Sequence, residues 1–196
     1  MLHDYDEYFK VKEAAPDYKR MYTIDEFIEL DDDIRAELYE GALVLMSPPI
    51  IMHQYIQSEI FGRLWNHLRD KPCKVFTSEF GVQPNENEQS FFLPDVVVVC
   101  DKLNPKDRVY TGAPSLIVEI LSPSTARMDK KLKFEKYEKA GVKEYWIVDP
   151  EFKMLQANIY TDGKYATTIY NENDIVPVSE LKGFEINLAE IFTDDL

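Results

Sequence analysis

Apolar residues recur every three or four positions from about Ile51 to Leu68, at Tyr55, Ile56, Ile60, Leu64 and Leu68. That period predicts one long amphipathic helix, stopped by Lys71-Pro72. Thr23-Ile24-Asp25-Glu26 has the spacing of a capping box and predicts a short helix from about Asp25, ending in the acidic run Glu29-Leu30-Asp31-Asp32-Asp33. Elsewhere the period shortens to that of strands. Glu37 to Met46 reads as two short strands around a turn at Glu40-Gly41, closed by Ser47-Pro48-Pro49. Strands are expected at Lys74–Thr77, Phe80–Gln83, Phe91–Cys100 and Leu116–Leu121, with Lys102–Gly112 as a loop. A helix from about Arg127 to Ala140 follows, with Gly141 as its cap. Glu144–Asp149 is a further strand, Met154–Tyr160 and Tyr165–Tyr170 a hairpin, and the tail Leu181–Leu188 is expected to close a sheet edge. Residues 1–20 show no period and read as a polar extension before a single domain, 21–196. The order predicts an α/β protein bordering on α+β. A mixed central sheet is flanked by helices, with β-hairpin additions at the N-terminal and C-terminal ends.

Charges stand inside two of these strands. Asp95 lies in Phe91-Phe92-Leu93-Pro94-Asp95-Val96-Val97-Val98-Val99 and Glu119 in Leu116-Ile117-Val118-Glu119-Ile120-Leu121. Alternation puts Asp95 with Leu93, Val97 and Val99, and Glu119 with Ile117 and Leu121. Both faces of both strands are apolar, so each carboxylate must be paired or bound to a cation to offset its desolvation. The bland alternatives are a strand start at Pro94-Asp95 and a structural ion pair at Glu119. On the following helix, at ~100° per residue, Lys133 falls within the apolar arc, while Lys131, Glu135, Glu138 and Lys139 form a solvated face. Lys130 is the second candidate for the inward lysine, and the alternative for Lys133 is a packed stem with its ammonium in water. Asp129, one turn earlier, is placed to pair with Lys133 on the helix surface. Tyr137, one turn later, reads as a core aromatic with a wet tip that can also hydrogen-bond in the same pocket.

Three further residues are supporting candidates. His53, in the first turn of the long helix, is placed to contact a phosphate or metal-bound water, against the plainer reading of a partly exposed histidine. Glu40 is placed to complete a metal shell, against that of a solvated turn carboxylate. Ser122, with Ser124 and Thr125, is placed to contact phosphate, against that of capping the helix at Arg127.

Composition changes the picture in three ways. With 196 residues and 45% hydrophobic content the chain supports a full core, and no apolar run reaches the length of a membrane span. Met1-Leu2-His3-Asp4-Tyr5-Asp6-Glu7 lacks the pattern of a signal peptide, so a cytoplasmic protein is expected, with Cys73 and Cys100 as free thiols. The net charge of −14 opposes binding to a polyanion. No Gly-x-Ser-x-Gly elbow, Walker phosphate loop or His-Glu-x-x-His helix occurs, which excludes the familiar hydrolase, P-loop and zincin patterns.

Several runs in order carry a resemblance. They are Glu40-Gly41…Met46-Ser47-Pro48…His53, Leu93-Pro94-Asp95-Val96, Val118-Glu119-Ile120-Leu121-Ser122-Pro123-Ser124-Thr125, Asp129…Lys133…Tyr137…Ala140-Gly141-Val142, and Glu144-Tyr145-Trp146-Ile147-Val148-Asp149-Pro150. Together, from about Tyr22 to Phe192, they resemble the Uma-type putative endonuclease family of the PD-(D/E)XK nuclease superfamily. The resemblance implies a restriction-endonuclease-like core in which Asp95 and Glu119 bind Mg²⁺ or Mn²⁺ and the substrate is nucleic acid, DNA first. A homodimer is implied by analogy with enzymes that cut duplexes. The superfamily pattern places a lysine two residues after the second acid, where this chain has Leu121; Lys133 on the next helix is the displaced equivalent. The competing expectation is an inactive module on the same fold, acting in binding or assembly, which the acidic balance and the displaced lysine favour.

Overall fold

The computed structural model describes residues 19–30, 34–122 and 128–193. In chain order they form α1 (Ile24–Ile28), β1 (Ala36–Tyr39), β2 (Ala42–Leu45), α2 (Ile51–Leu68), β3 (Lys74–Thr77), β4 (Val82–Gln83), β5 (Val96–Val99), β6 (Tyr110–Thr111) and β7 (Leu116–Ile120). A π-helical segment (Met128–Lys133) then runs into α3 (Phe134–Ala140). The chain continues through β8 (Glu144–Asp149), β9 (Met154–Thr161), β10 (Lys164–Asn171), β11 (Ile175–Pro177) and β12 (Glu185–Asn187). The expected polar extension lies outside the described residues except for Lys19 and Arg20.

Six strands form the central mixed sheet, in the order β10-β9-β8-β7-β5-β3. Its one parallel pair, β7 with β8, requires a crossover, which the π-helical segment and α3 supply. The alternation read in the strands separates two cores. Val96, Val98, Leu116, Val118 and Ile120 face α2, where they meet Ile56, Ile60, Leu64 and Leu68. Ile117, Leu121, Tyr145 and Ile147 face the opposite way and meet Tyr137 of α3. All four residues of β5 are buried, as both-sided coverage requires.

Local signals account for the ends of several elements. The side chain of Thr23 accepts from Glu26 N and that of Glu26 from Thr23 N, which completes the capping box of α1. Gly141, at φ 80°, ends α3 in the left-handed region. Glu40 and Gly41, both at positive φ, make the tight β1–β2 turn. That hairpin lies against the segment before β5: Leu38 N donates to Phe91 O, and Phe91 N to Leu38 O. This contact places β1 beside the start of β5 and so positions the site.

Four expectations are corrected. Cys73 and Cys100 form a disulfide, one position beyond the Lys74↔Val99 pair of β3 and β5. Antiparallel register brings together residues 27 apart in sequence, which spacing alone does not reveal. The helix expected from Arg127 is a π-helix up to Lys133 among the described residues; six residues are too few for the apolar period to separate π from α. The Lys102–Gly112 loop contains β6, paired in parallel with β4, because two residues carry no readable alternation. The tail closes no edge of the central sheet: β12 pairs with β11, and Ile186, Leu188, Ile191 and Phe192 pack into the α2 core. Among the described residues no helix is long and apolar enough to cross a membrane.

Candidate active site

Two acids meet at one end of the sheet because of strand register. Val96 pairs with Val118 and Val97 with Ile117, so the next step sets Asp95 across from Glu119. Asp95 Oδ2 accepts from Ile120 N at 2.7 Å and lies 3.2 Å from His53 Nε2. Gln57 Nε2 donates to the main-chain oxygen of Asp95 and to Ser78 Oγ, both at 2.7 Å, which anchors α2 to this strand end. His53 is therefore buried against Asp95 rather than partly exposed. Contact with a carboxylate assigns a proton to Nε2, and among the described residues Nδ1 is buried with no hydrogen-bond partner.

Lys133 enters from the opposite layer. Its ammonium does not snorkel; the residue is 2% exposed. Nζ donates to Glu119 Oε1 at 2.9 Å and to Glu37 Oε1 at 3.0 Å, and lies 3.3 Å from Asp129 Oδ1. The Asp129–Lys133 pair expected on the helix surface is thus interior, because the π-helical turn lies against the sheet. The tip of Tyr137 is also dry: its hydroxyl donates to Glu119 Oε1 at 3.3 Å. Tyr145 OH donates to the main-chain oxygen of Asp129 at 3.0 Å and holds the π-helical segment down.

Glu37 was not foreseen. Its Oε1 also accepts from Leu93 N at 2.8 Å, so one oxygen joins β1, the β5 approach and Lys133. In sequence Glu37 stands between Ala36 and Leu38 at the start of a short predicted strand. The apolar neighbours on both sides were the available signal.

Four carboxylates, of Glu37, Asp95, Glu119 and Asp129, surround one lysine and one histidine. Burial, reinforced by Asp129, Asp95 and Glu37, pushes the Glu119 carboxyl well above the usual range despite Lys133. Burial alone would lower Lys133, but Glu119, Glu37 and Asp129 outweigh it and hold the ammonium well above its ordinary value. Lys133 is a fixed positive charge. Burial, followed by Glu119, raises the phenol of Tyr137 well above its usual value, so it remains a donor.

Asp95, Glu119, Asp129 and Lys133 wall a cavity of about 250 Å³ that is also bounded by Pro48, His53 and Ser122. Among the described residues, the contacts on Asp95 fall on Oδ2 and those on Glu119 on Oε1. The other oxygen of each acid makes no hydrogen bond or ion pair among the described residues, and both residues line the cavity. The surplus of negative charge and two free hard oxygens fit a hydrated divalent cation. A complete protein cage is absent: no three His, Cys, Asp or Glu side chains among the described residues are grouped to hold a metal. Waters and substrate oxygens would supply the rest of the shell, which suits Mg²⁺ better than Zn²⁺.

The structure thus brings together Asp95, Glu119, Lys133, Asp129, Tyr137, His53 and Ser122. Glu40 stays apart, mostly exposed, with Lys136 Nζ 2.8 Å from its Oε1. Lys130 pairs with Asp149 at 3.2 Å and is not the inward lysine.

Comparison with known proteins bears on the fold and the family. A crystal structure described as a putative nuclease belonging to DUF820 from Anabaena variabilis matches with a TM-score of 0.73. It covers 87% of this chain and 97% of its own, at 20% identity, which shows a shared fold. Two uncharacterized Synechocystis proteins are relatives. The protein slr1290 is 28% identical over 171 residues, covering 84% of this chain and 87% of its own. The protein sll1609 is 26% identical over 135 residues, covering 66% and 76%. Residues 16–189 match the family described as Uma2, putative restriction endonuclease, and the chain belongs to that family.

Proposed function

We propose that the protein hydrolyses phosphodiester bonds in nucleic acid, DNA first, at the cavity walled by Asp95, Glu119 and Lys133. The observation that carries this reading is the Lys133 ammonium, held 2.9 Å from Glu119 on the same cavity that Asp95 lines. Asp95 and Glu119 would hold a Mg²⁺ or Mn²⁺ ion, which when bound polarises the phosphate and lowers the pKa of a bound water. Lys133 stays protonated, so it serves as a donor to phosphate oxygens and stabilises charge developing around phosphorus; it is no general base. Glu37 and Asp129 fix the position of that ammonium. His53 Nε2, 3.2 Å from Asp95 Oδ2, would hold that carboxylate in place and leave its other oxygen available to the ion; it is a positioning residue.

The test is incubation of purified protein with DNA and Mg²⁺ or Mn²⁺, with an EDTA control. Cleavage is expected, falling at least about a hundredfold in Asp95→Ala and in Glu119→Ala. Full activity in both variants would remove the proposal.

One observation favours a second reading, an inactive module on the same fold. Lys133 has three N–H donors, and three carboxylates, at 2.9, 3.0 and 3.3 Å, face them. A lysine so matched must exchange a partner before it meets a phosphate. This reading requires that calorimetric titration with Mn²⁺ show no site-specific binding.

A further inference from the structure

Three aromatic rings gather away from the acids. Phe76 on β3 stacks on Phe80 with centroids 4.2 Å apart, and Tyr110 on β6 lies 6.0 Å from Phe80. Tyr110 OH donates to Asp101 Oδ2 at 2.6 Å, which fixes its ring. The rings wall a cavity of about 630 Å³, a size typical of small-molecule sites. Glu79, Arg108 and Val109 wall both this cavity and a second of about 410 Å³, and Arg35 walls the second and the acid cavity. Shared wall residues thus make the three cavities neighbours, the ring cavity at one end and that of Asp95, Glu119 and Lys133 at the other. Glu79, at the junction, has φ 77°, a strained conformation for a residue with a side chain. Arg35 Nε stands 3.7 Å from Glu79 Oε1 and is buried without a hydrogen-bond partner among the described residues.

We propose that the aromatic cavity is a base-binding subsite that makes the protein select single-stranded over double-stranded nucleic acid, the strand running past Arg108 and Arg35 toward the acid cavity. What happens at the acid end rests on the nuclease reading; the subsite itself does not. The charge of the chain supports the selection. A duplex keeps its bases paired and presents phosphates to a surface of net charge −14, where counterion release contributes little. A single strand also offers neutral, unstacked bases, and stacking on aromatic rings needs no positive field.

The experiment is fluorescence anisotropy in EDTA with wild-type protein, Phe80→Ala and Tyr110→Leu. The probes are a labelled oligothymidylate and a duplex of the same length, with free thymidine monophosphate as competitor. Circular dichroism confirms that each variant is folded. The single strand should bind more tightly than the duplex, with a shallow salt dependence. Phe80→Ala should weaken it by about 5- to 100-fold, from the usual range for loss of one base–aromatic stack. Equal binding of both probes, or unchanged binding in both variants, overturns the subsite. So does binding of the monophosphate with no preference for the strand, which would mark a free-nucleotide pocket. A protein that cleaves nothing yet binds the strand through Phe80 keeps the subsite and loses the nuclease. One that cleaves both forms, unaffected by Phe80→Ala, keeps the nuclease and loses the subsite.

Discussion

Glu37 and Lys133 lie 96 residues apart in sequence and share a hydrogen bond of 3.0 Å in the interior. The same Glu37 oxygen accepts the amide of Leu93, so the N-terminal hairpin, the central sheet and the crossover helix are fastened at one atom. Losing either end of this pair strands charge in the core.

Lys133→Met removes the one ammonium among Glu37, Glu119 and Asp129. An uncompensated buried charge costs about 3–5 kcal/mol, so the urea midpoint should fall steeply. Glu37→Gln keeps an acceptor for Leu93 N and should cost less, about 1–2 kcal/mol. Equal midpoints for both variants and wild type would show that the cluster adds nothing to stability.

Glu119→Gln retains an oxygen for Lys133 and Tyr137 but removes the carboxylate charge. The variant should fold, and calorimetric Mn²⁺ binding should weaken at least about tenfold, since hard cations depend on anionic oxygen ligands. Undiminished Mn²⁺ binding would place the ion elsewhere.

Glu144 predicts a pH effect remote from the site. Burial raises its carboxyl above the usual range, although Ser179 and Trp146 donate to it. Its proton is therefore held more tightly in the folded than in the unfolded chain. That contribution to stability is complete below the ordinary glutamate range and is lost as pH rises through the raised folded value. Urea midpoints of wild type and Glu144→Gln, measured from pH 4 upward, should differ in slope within that window. Parallel curves would contradict the assignment.

The Cys73–Cys100 bridge closes a loop that contains β3, β4 and the approach to Asp95. Replacing both by serine should cost about 2–4 kcal/mol, read from the urea midpoint, because the unfolded chain regains loop freedom. Reductant should lower wild type by a similar amount and leave the variant unchanged.

Gly81 sits close beneath a ring: a Cβ there would lie 2.3 Å from Phe91 Cε2 and Cζ. Gly81→Ala should destabilise by about 1–3 kcal/mol through overpacking. A double change with Phe91→Leu should recover part of it, and failure to recover would point to the backbone.

What the sequence determined by itself was whatever depends on short-range period and capping. The full span of α2, the β8 strand, the β9–β10 hairpin, the capping box at Thr23 and the Gly41 and Gly141 turns all follow from neighbours within a few residues. Asp95, Glu119 and Lys133 were visible because a charge inside an apolar period is costly and therefore conspicuous. Tertiary structure alone decided what lies across the sheet from what. Glu37 was only a position in a short predicted strand until the hairpin docked on Phe91. His53 read as partly exposed or facing a phosphate until α2 closed on Asp95, and Cys73 met Cys100 only through the β3–β5 register. Each of these contacts joins segments far apart in the chain, and local propensity carries no information about such distances.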